Sequence, residues 1–254
     1  MKNIKITKLI VSLALASSVL LASNADHKSH WSYAGSEGPS HWGNLKSSYV
    51  DCKIGKRQSP INIKTSSNKL GVSDAGIYVN YNDVNLDIVN NGHTIQVNIA
   101  DGNEALIGGK KYKLLQFHFH APSEHTIDGK AIPMEAHLVH QSADGELAVI
   151  GVLLKEGSHN TFIQKIFKNM PINASGHKKT SKLKVNATDI LPASRAHWHY
   201  LGSLTTPPCT QIVEWYLLKE PITISSKQLK HFHKLYKGNA RPAQKLNNRT
   251  ILQK

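Results

Sequence analysis

Gln116-Phe117-His118-Phe119-His120 places two imidazoles two residues apart in a run that alternates apolar and polar residues. In a β-strand, side chains at i and i+2 project from one face, so both imidazoles point one way while both phenyl rings enter the core. Two imidazoles held side by side invite a metal ion, and a third ligand would complete a zinc site that keeps one position open for water. Pro133-Met134-Glu135-Ala136-His137-Leu138-Val139-His140 offers that ligand. It also alternates, putting Glu135, His137 and Val139 on one face and Leu138 and His140 on the other. Spacing alone does not choose between His137 and His140. Glu135 favours His137, because a carboxylate on the same face can accept the second imidazole N–H, fix the tautomer and raise ligand basicity.

A second His-x-His, His231-Phe232-His233, lies in Lys227 to Tyr236, which has helical periodicity. At 100° per residue, side chains two apart diverge by about 200°, so these two read as solvated helix residues. His197 and His199 alternate with Trp198 and Tyr200 and read as structural.

Strands are the elements that must position the first pair. Val84, Leu86 and Ile88, then Ile95, Val97 and Ile99, alternate with mostly polar neighbours around Asn91-Gly92, which predicts two strands and a turn. Leu115, Phe117 and Phe119 form the expected apolar face of the metal-site strand. Leu147 to Leu154 is a continuous apolar run and Ile212 to Leu218 another interrupted only by Glu214, as in strands buried on both faces. Helical spacing is confined to short pieces: Phe162, Ile163, Ile166 and Phe167, then Leu229, Phe232 and Tyr236. Residues 27–55 mix aromatic, Gly, Ser and Pro residues without period and are expected to wrap the body as loop. The expected fold is mainly β with short peripheral helices, a single domain built on a large, mostly antiparallel twisted central sheet.

At 254 residues with 40% hydrophobic content the chain can bury a full core, which excludes a disordered tail; only two cysteines exclude a small disulfide scaffold. Lys2, Lys5 and Lys8 precede an uncharged run from Leu9 to Leu21 and the small residues Ser23-Asn24-Ala25. That run is shorter than the about 20 residues of a membrane span, so residues 1–25 read as a secretory signal peptide and residues 26–254 as the mature domain, periplasmic or secreted. No second apolar run is long enough to cross a bilayer. In an oxidising compartment Cys52 and Cys209 are expected to form one disulfide. Formal net charge is +14, falling to +11 when the three leader lysines are removed. The lysines look scattered and lack interleaved aromatics, so no nucleic-acid partner is expected and the charge is assigned to solubility or surface attraction. Histidine, at 15, is the more informative count.

Taken in order, Gln116 to His120, Glu135 to His140 and Gly202-Ser203-Leu204-Thr205-Thr206-Pro207-Pro208-Cys209 resemble an α-class carbonic anhydrase. Gln58-Ser59-Pro60-Ile61-Asn62, Asn90-Asn91-Gly92-His93, Ser123-Glu124-His125-Thr126 and Asn239-Ala240-Arg241-Pro242-Ala243-Gln244 match further segments, so the resemblance runs from Trp31 to Arg249. It implies one Zn2+ per chain held by His118, His120 and His137, with water as fourth ligand, and reversible hydration of carbon dioxide to bicarbonate by attack of zinc-bound hydroxide. It further implies that Thr205 accepts from that hydroxide while donating to Glu124, and that His93 carries the product proton to solvent from an exposed, swinging position. Tyr33, Asn91 and Gln96 would order the intervening water. Val139, Val149, Leu204, Thr206 and Trp215 would line the substrate pocket. Gln116, Glu135 and the Asn239 carbonyl would each hold one ligating imidazole. Gln141 departs from the aromatic residue many members carry there, as His197 and His199 depart from other types, and neither departure touches this chemistry. Two other readings stand beside the enzyme: a noncatalytic binding module on the same fold, whose members typically lack a metal-binding histidine, and a zinc buffer using the wider histidine set. The oligomeric state is left open, a homodimer included.

Overall fold

The computed structural model describes residues 30–66, 70–72 and 76–254, so the leader expected over residues 1–25 lies outside the described residues. The alternating runs become strands β1 (Val84–Asn90), β2 (Ile95–Asn98), β3 (Lys110–His120), β4 (Met134–Gln141), β5 (Leu147–Glu156), β6 (His177–Val185), β7 (His197–Gly202) and β8 (Val213–Leu218). They join one 13-stranded sheet in the order β6-β1-β2-β3-β4-β5-β8-β7, which continues through Ile251–Gln253 to Leu70–Val72. Along that order every pairing is antiparallel except β5 with β8 and the last. The mainly β, single-domain, mostly antiparallel expectation holds.

The β1–β2 turn forms where Asn91-Gly92 predicts it. Gly92 sits at φ +87°, and the Asn91 side-chain oxygen accepts from the backbone N–H groups of His93 and Thr94 at 3.0 and 2.9 Å.

Register puts the chemistry-bearing residues on one face of the sheet. His118 lies opposite Gln96 on β2 and His137 on β4, and His137 lies opposite Gly151 on β5. One step along, Gln116 pairs with Val139, Val139 with Val149 and Val149 with Trp215; one step the other way, His120 pairs with Glu135. The opposite face carries Phe117, Phe119, Leu138 and Ile150, all fully buried. Helices α3 (Thr161–Phe167) and α4 (Ser226–His233) cover that back face, with Phe119 5.4 Å from Phe167 and 6.4 Å from Phe232. Asn160 caps α3 by accepting from the Ile163 N–H, and Ser225 and Gln228 form a reciprocal capping box on α4.

Four local readings need correction. Leu115 does not share the Phe117 and Phe119 face: pairing passes from Val139–Gln116 to His140–Leu114, so Leu115 bulges out and is 40% exposed, and Leu114 takes the buried position. The segment expected as loop folds into short helices, among them α1 (Trp42–Leu45) and α2 (Asp51–Ile54), where Trp42 is buried and donates Nε1–H to the Ser32 carbonyl at 2.8 Å. Ile212 stays outside β8 and is half exposed. His231 and His233 do sit on a helix, but both are half-buried, and His233 Nδ1 donates to the Tyr236 carbonyl at 3.0 Å. The cysteines do as expected. Cys52 and Cys209 form a disulfide that closes 157 residues, a loop length for which chain entropy contributes about 4–5 kcal/mol.

Candidate metal centre

His118 and His120 project from β3, and His137 projects from the facing register position on β4. Their ring centroids are 5.0, 5.2 and 4.6 Å apart, and one nitrogen from each ring lies within 4.8 Å of the others. The remaining nitrogens are committed. His118 Nδ1 donates to Gln116 Oε1 at 2.9 Å, His120 Nδ1 to the Asn239 carbonyl at 2.7 Å, and His137 Nε2 to Glu135 Oε1 at 2.8 Å. Three different acceptors thus leave His118 Nε2, His120 Nε2 and His137 Nδ1 with lone pairs toward the shared space. His120 Nε2 is buried with no partner, as a site built for a cation requires. Burial also lowers the pKa of all three rings, well below the usual value for His118 and to about 4 for His120, keeping them in the neutral form that ligates. His140, three residues on, points to the opposite face and bonds to the Tyr81 hydroxyl at 2.6 Å.

Behind the rings lies a buried polar chain. Burial alone would raise the Glu135 pKa, but its carboxylate accepts four hydrogen bonds and is held well below the usual range. Oε1 takes the His137 and His125 ring N–H groups at 2.8 and 2.7 Å, and Oε2 takes the backbone N–H groups of Glu124 and His125 at 3.0 and 2.9 Å. An ionised carboxylate only accepts, so His125 must donate from Nδ1 and accept at Nε2 from the Tyr200 hydroxyl, 2.7 Å away. Tyr200 then accepts from Ser59 at 3.0 Å, and Ser59 Oγ accepts from the Ser203 N–H at 3.0 Å. Donation converges on Glu135, from Ser59 through Tyr200 and His125 on one side and from His137 on the other. Gly151 leaves room for it: a Cβ there would stand 3.2 Å from Glu135 Oε1 and 2.8 Å from a Leu217 methyl.

Glu124 is fully buried, and burial pushes its pKa up to about 7 against the opposing influence of His137, the Arg241 N–H at 2.9 Å and the Thr205 hydroxyl. Arg241 carries that N–H on a loop fixed by its own guanidinium, which donates to Gln58 Oε1 and the Ser59 carbonyl, each at 2.8 Å. The apolar side of the site is the cross-strand row Val139, Val149 and Trp215, with Leu204 packed against it. Trp215 is oriented by donating Nε1–H to the Ser203 carbonyl at 3.0 Å, and its ring lies 4.8 Å from that of His137. Thr206 is half-buried in the same loop, its carbonyl accepting from the Cys209 N–H at 2.9 Å.

His93 is not the exposed, swinging side chain expected. It is half-buried and stacked on Trp31, with ring centroids 3.7 Å apart and planes 8° from parallel, and burial lowers its pKa. Tyr33 packs edge-on against Trp31 and Trp42; burial and then the Glu124 charge raise its pKa well above the usual value. Gln96 stands beside His118 and donates to Asn98 at 2.7 Å. The Asn91 oxygen is spent on its own turn. Sequence reasoning assigned no role to His125, Tyr200, Ser59, Arg241, Trp31 or Gly151; the position of His125 directly after Glu124 was the one local signal for the first of them.

The family model for eukaryotic-type carbonic anhydrase matches residues 37–254. A carbonic anhydrase of Pectobacterium carotovorum is 38% identical over 243 residues, covering 95% of this chain and 98% of that protein. A hyperthermostable carbonic anhydrase from a hydrothermal vent chimney superposes with a TM-score of 0.82 at 47% identity, covering 88% of this chain and 99% of that one. The crystal structure of dioscorin complexed with ascorbate also superposes, with a TM-score of 0.80 at 30% identity, covering 88% and 97%.

Proposed function

The chain belongs to the eukaryotic-type, or alpha, carbonic anhydrase family, and from that premise we propose that it interconverts carbon dioxide and bicarbonate at one Zn2+ held by His118, His120 and His137. The observation that carries the zinc assignment is the neutral histidine trio, each outward N–H taken by its own acceptor and His120 Nε2 buried without a partner. A zinc ion held by these three rings would supply Lewis acidity and make water acidic near neutral pH.

The chain's own residues position and deprotonate. With Glu124 ionised, the Thr205 hydroxyl donates to it, so the Thr205 oxygen accepts only from a protonated group in the site and selects one orientation of the nucleophile. Val139, Val149, Leu204 and Trp215 give an apolar substrate a dry wall, with Thr206 at its edge. His93 accepts the product proton and passes it to solvent, with Tyr33 and Gln96 as polar lining and Asn91 fixing the turn that carries the ring. Residues 1–25 act as a leader that sends the protein to the periplasm or outside the cell, where the Cys52–Cys209 disulfide persists.

Stopped-flow carbon dioxide hydration by the mature protein, with metal content and a His120→Ala variant, tests this. Fast hydration with one zinc, collapsing in the variant, supports it. An inactive protein that still holds one zinc would favour a binding module; the dioscorin structure, complexed with ascorbate, shows that this fold also carries ligand binding.

A further inference from the structure

The positive charge is not scattered in space. Residues 157–188 and 221–254 hold fourteen of the 31 Lys and Arg and none of the 17 Asp and Glu. Folding brings much of both stretches together. Asn160 at the start of α3 exchanges hydrogen bonds with Gln228 of α4 at 3.0 and 2.7 Å. Lys178 of β6 donates to Asn169 just past α3 at 2.6 Å. β6 is the outer edge of the sheet and Lys165 of α3 reaches the Lys184 carbonyl on it, so the helix pair and the strand form one lysine-bearing face. Lys168, Lys182, Lys227, Lys230 and Lys234 on it are exposed. Of the nearest anions, Asp87 is engaged with His177 and Lys179 and Glu156 with Ser226, while the exposed Asp189 lines a pocket with Lys165 at the flank of α3. Between α3 and α4 lies an open groove of about 550 Å³ lined by Lys227, Lys230, His231 and Lys234.

Within this face stands Ile172, 81% exposed and the most exposed large apolar side chain among the described residues. Its loop is pinned: the Asn90 side chain donates to the Pro171 carbonyl at 3.0 Å and the Asn90 backbone N–H to the Gly176 carbonyl at 2.8 Å. A fixed loop that presents isoleucine to water amid lysines matches the water–bilayer interface, where apolar tips insert and cations meet phosphate. It does not match a nucleic-acid platform, because no exposed aromatic ring lies on the face.

We propose that the face formed by α3, α4, β6 and the Pro171–Gly176 loop docks on anionic lipid surfaces, Ile172 entering the headgroup layer. α3 and α4 cover the back of the sheet, away from the histidine face, whereas the Pro171–Gly176 loop lies beside the Asn91-Gly92 turn that carries His93.

Co-sedimentation of the mature protein with phosphatidylcholine vesicles, with and without about one third phosphatidylglycerol, tests this. Binding is expected only to the anionic vesicles and is expected to be lost in about 0.5 M NaCl. K168E/K182E/K230E should weaken it about a hundredfold, and Ile172→Ser about fivefold. K56E/K111E/K113E, the same charge change placed elsewhere, should stay within about threefold of the parent. All three variants should keep carbon dioxide hydration in solution, which verifies folding. No binding to anionic vesicles at low salt, equal losses in the two triple variants, or tighter binding of duplex DNA by the same face would overturn the proposal.

Discussion

His-Phe-His occurs twice in this chain, and the two copies differ in everything except composition. On β3 the tripeptide sets His118 and His120 on one face with ring centroids 5.0 Å apart, while Phe117 and Phe119 enter the core. On α4 it buries Phe232 between His231 and His233, which diverge along the helix surface, one lining a lysine-rich groove and the other bonded to a backbone carbonyl. Backbone period, not residue type, decides which copy can share a metal. A third histidine from β4 and three separate acceptors then turn the strand copy into a candidate site.

The comparison breaks most visibly under alanine. His120→Ala should lower carbon dioxide hydration by at least about 10³-fold, since several kcal/mol of metal-derived stabilisation would go with the ion, whereas His231→Ala should change it by less than about twofold; equal effects would dissolve the contrast. His93→Ala should lower kcat in weak buffer by about a hundredfold while sparing kcat/KM, with added imidazole restoring turnover. Glu135→Gln keeps the shape but not the charge, and should weaken zinc affinity about 10–100-fold in chelator competition. Gly151→Ala, which crowds Glu135 Oε1, should weaken it by about threefold to tenfold in the same assay, and adding Leu217→Val should not restore it.

The smallest effect concerns His140, which shares β4 with His137 but faces the other way. Burial lowers its pKa to about 4. The unfolded chain binds this proton below about pH 6.5 and the native chain does not, so the group's penalty grows as pH falls from about 6.5 toward 4. Urea melts of the metal-free protein should therefore lose stability across that window, and His140→Gln should flatten the slope.

Local periodicity is enough to read the strands, the turn at Gly92, the short helices, the face shared by His118 and His120 and the face shared by Glu135 and His137, because each is written in spacing along a few residues. The remainder depends on contacts across the chain. His120 is held by a carbonyl 119 residues away, and Tyr200 meets Ser59 across 141 residues. The bulge at Leu115 follows from a register shift against β4, and the stack of His93 on Trp31 from a segment without any period. The lysines look scattered in sequence because α3, β6 and α4 gather them only on folding.

Zinc titration of the metal-free mature protein, read by competition with a chelator, decides whether the strand copy or the helix copy builds the site. One tight zinc per chain is expected in the parent and in the His231→Ala, His233→Ala double variant, and none in His120→Ala. A second tight zinc lost with the helix histidines, or tight zinc retained in His120→Ala, would contradict it.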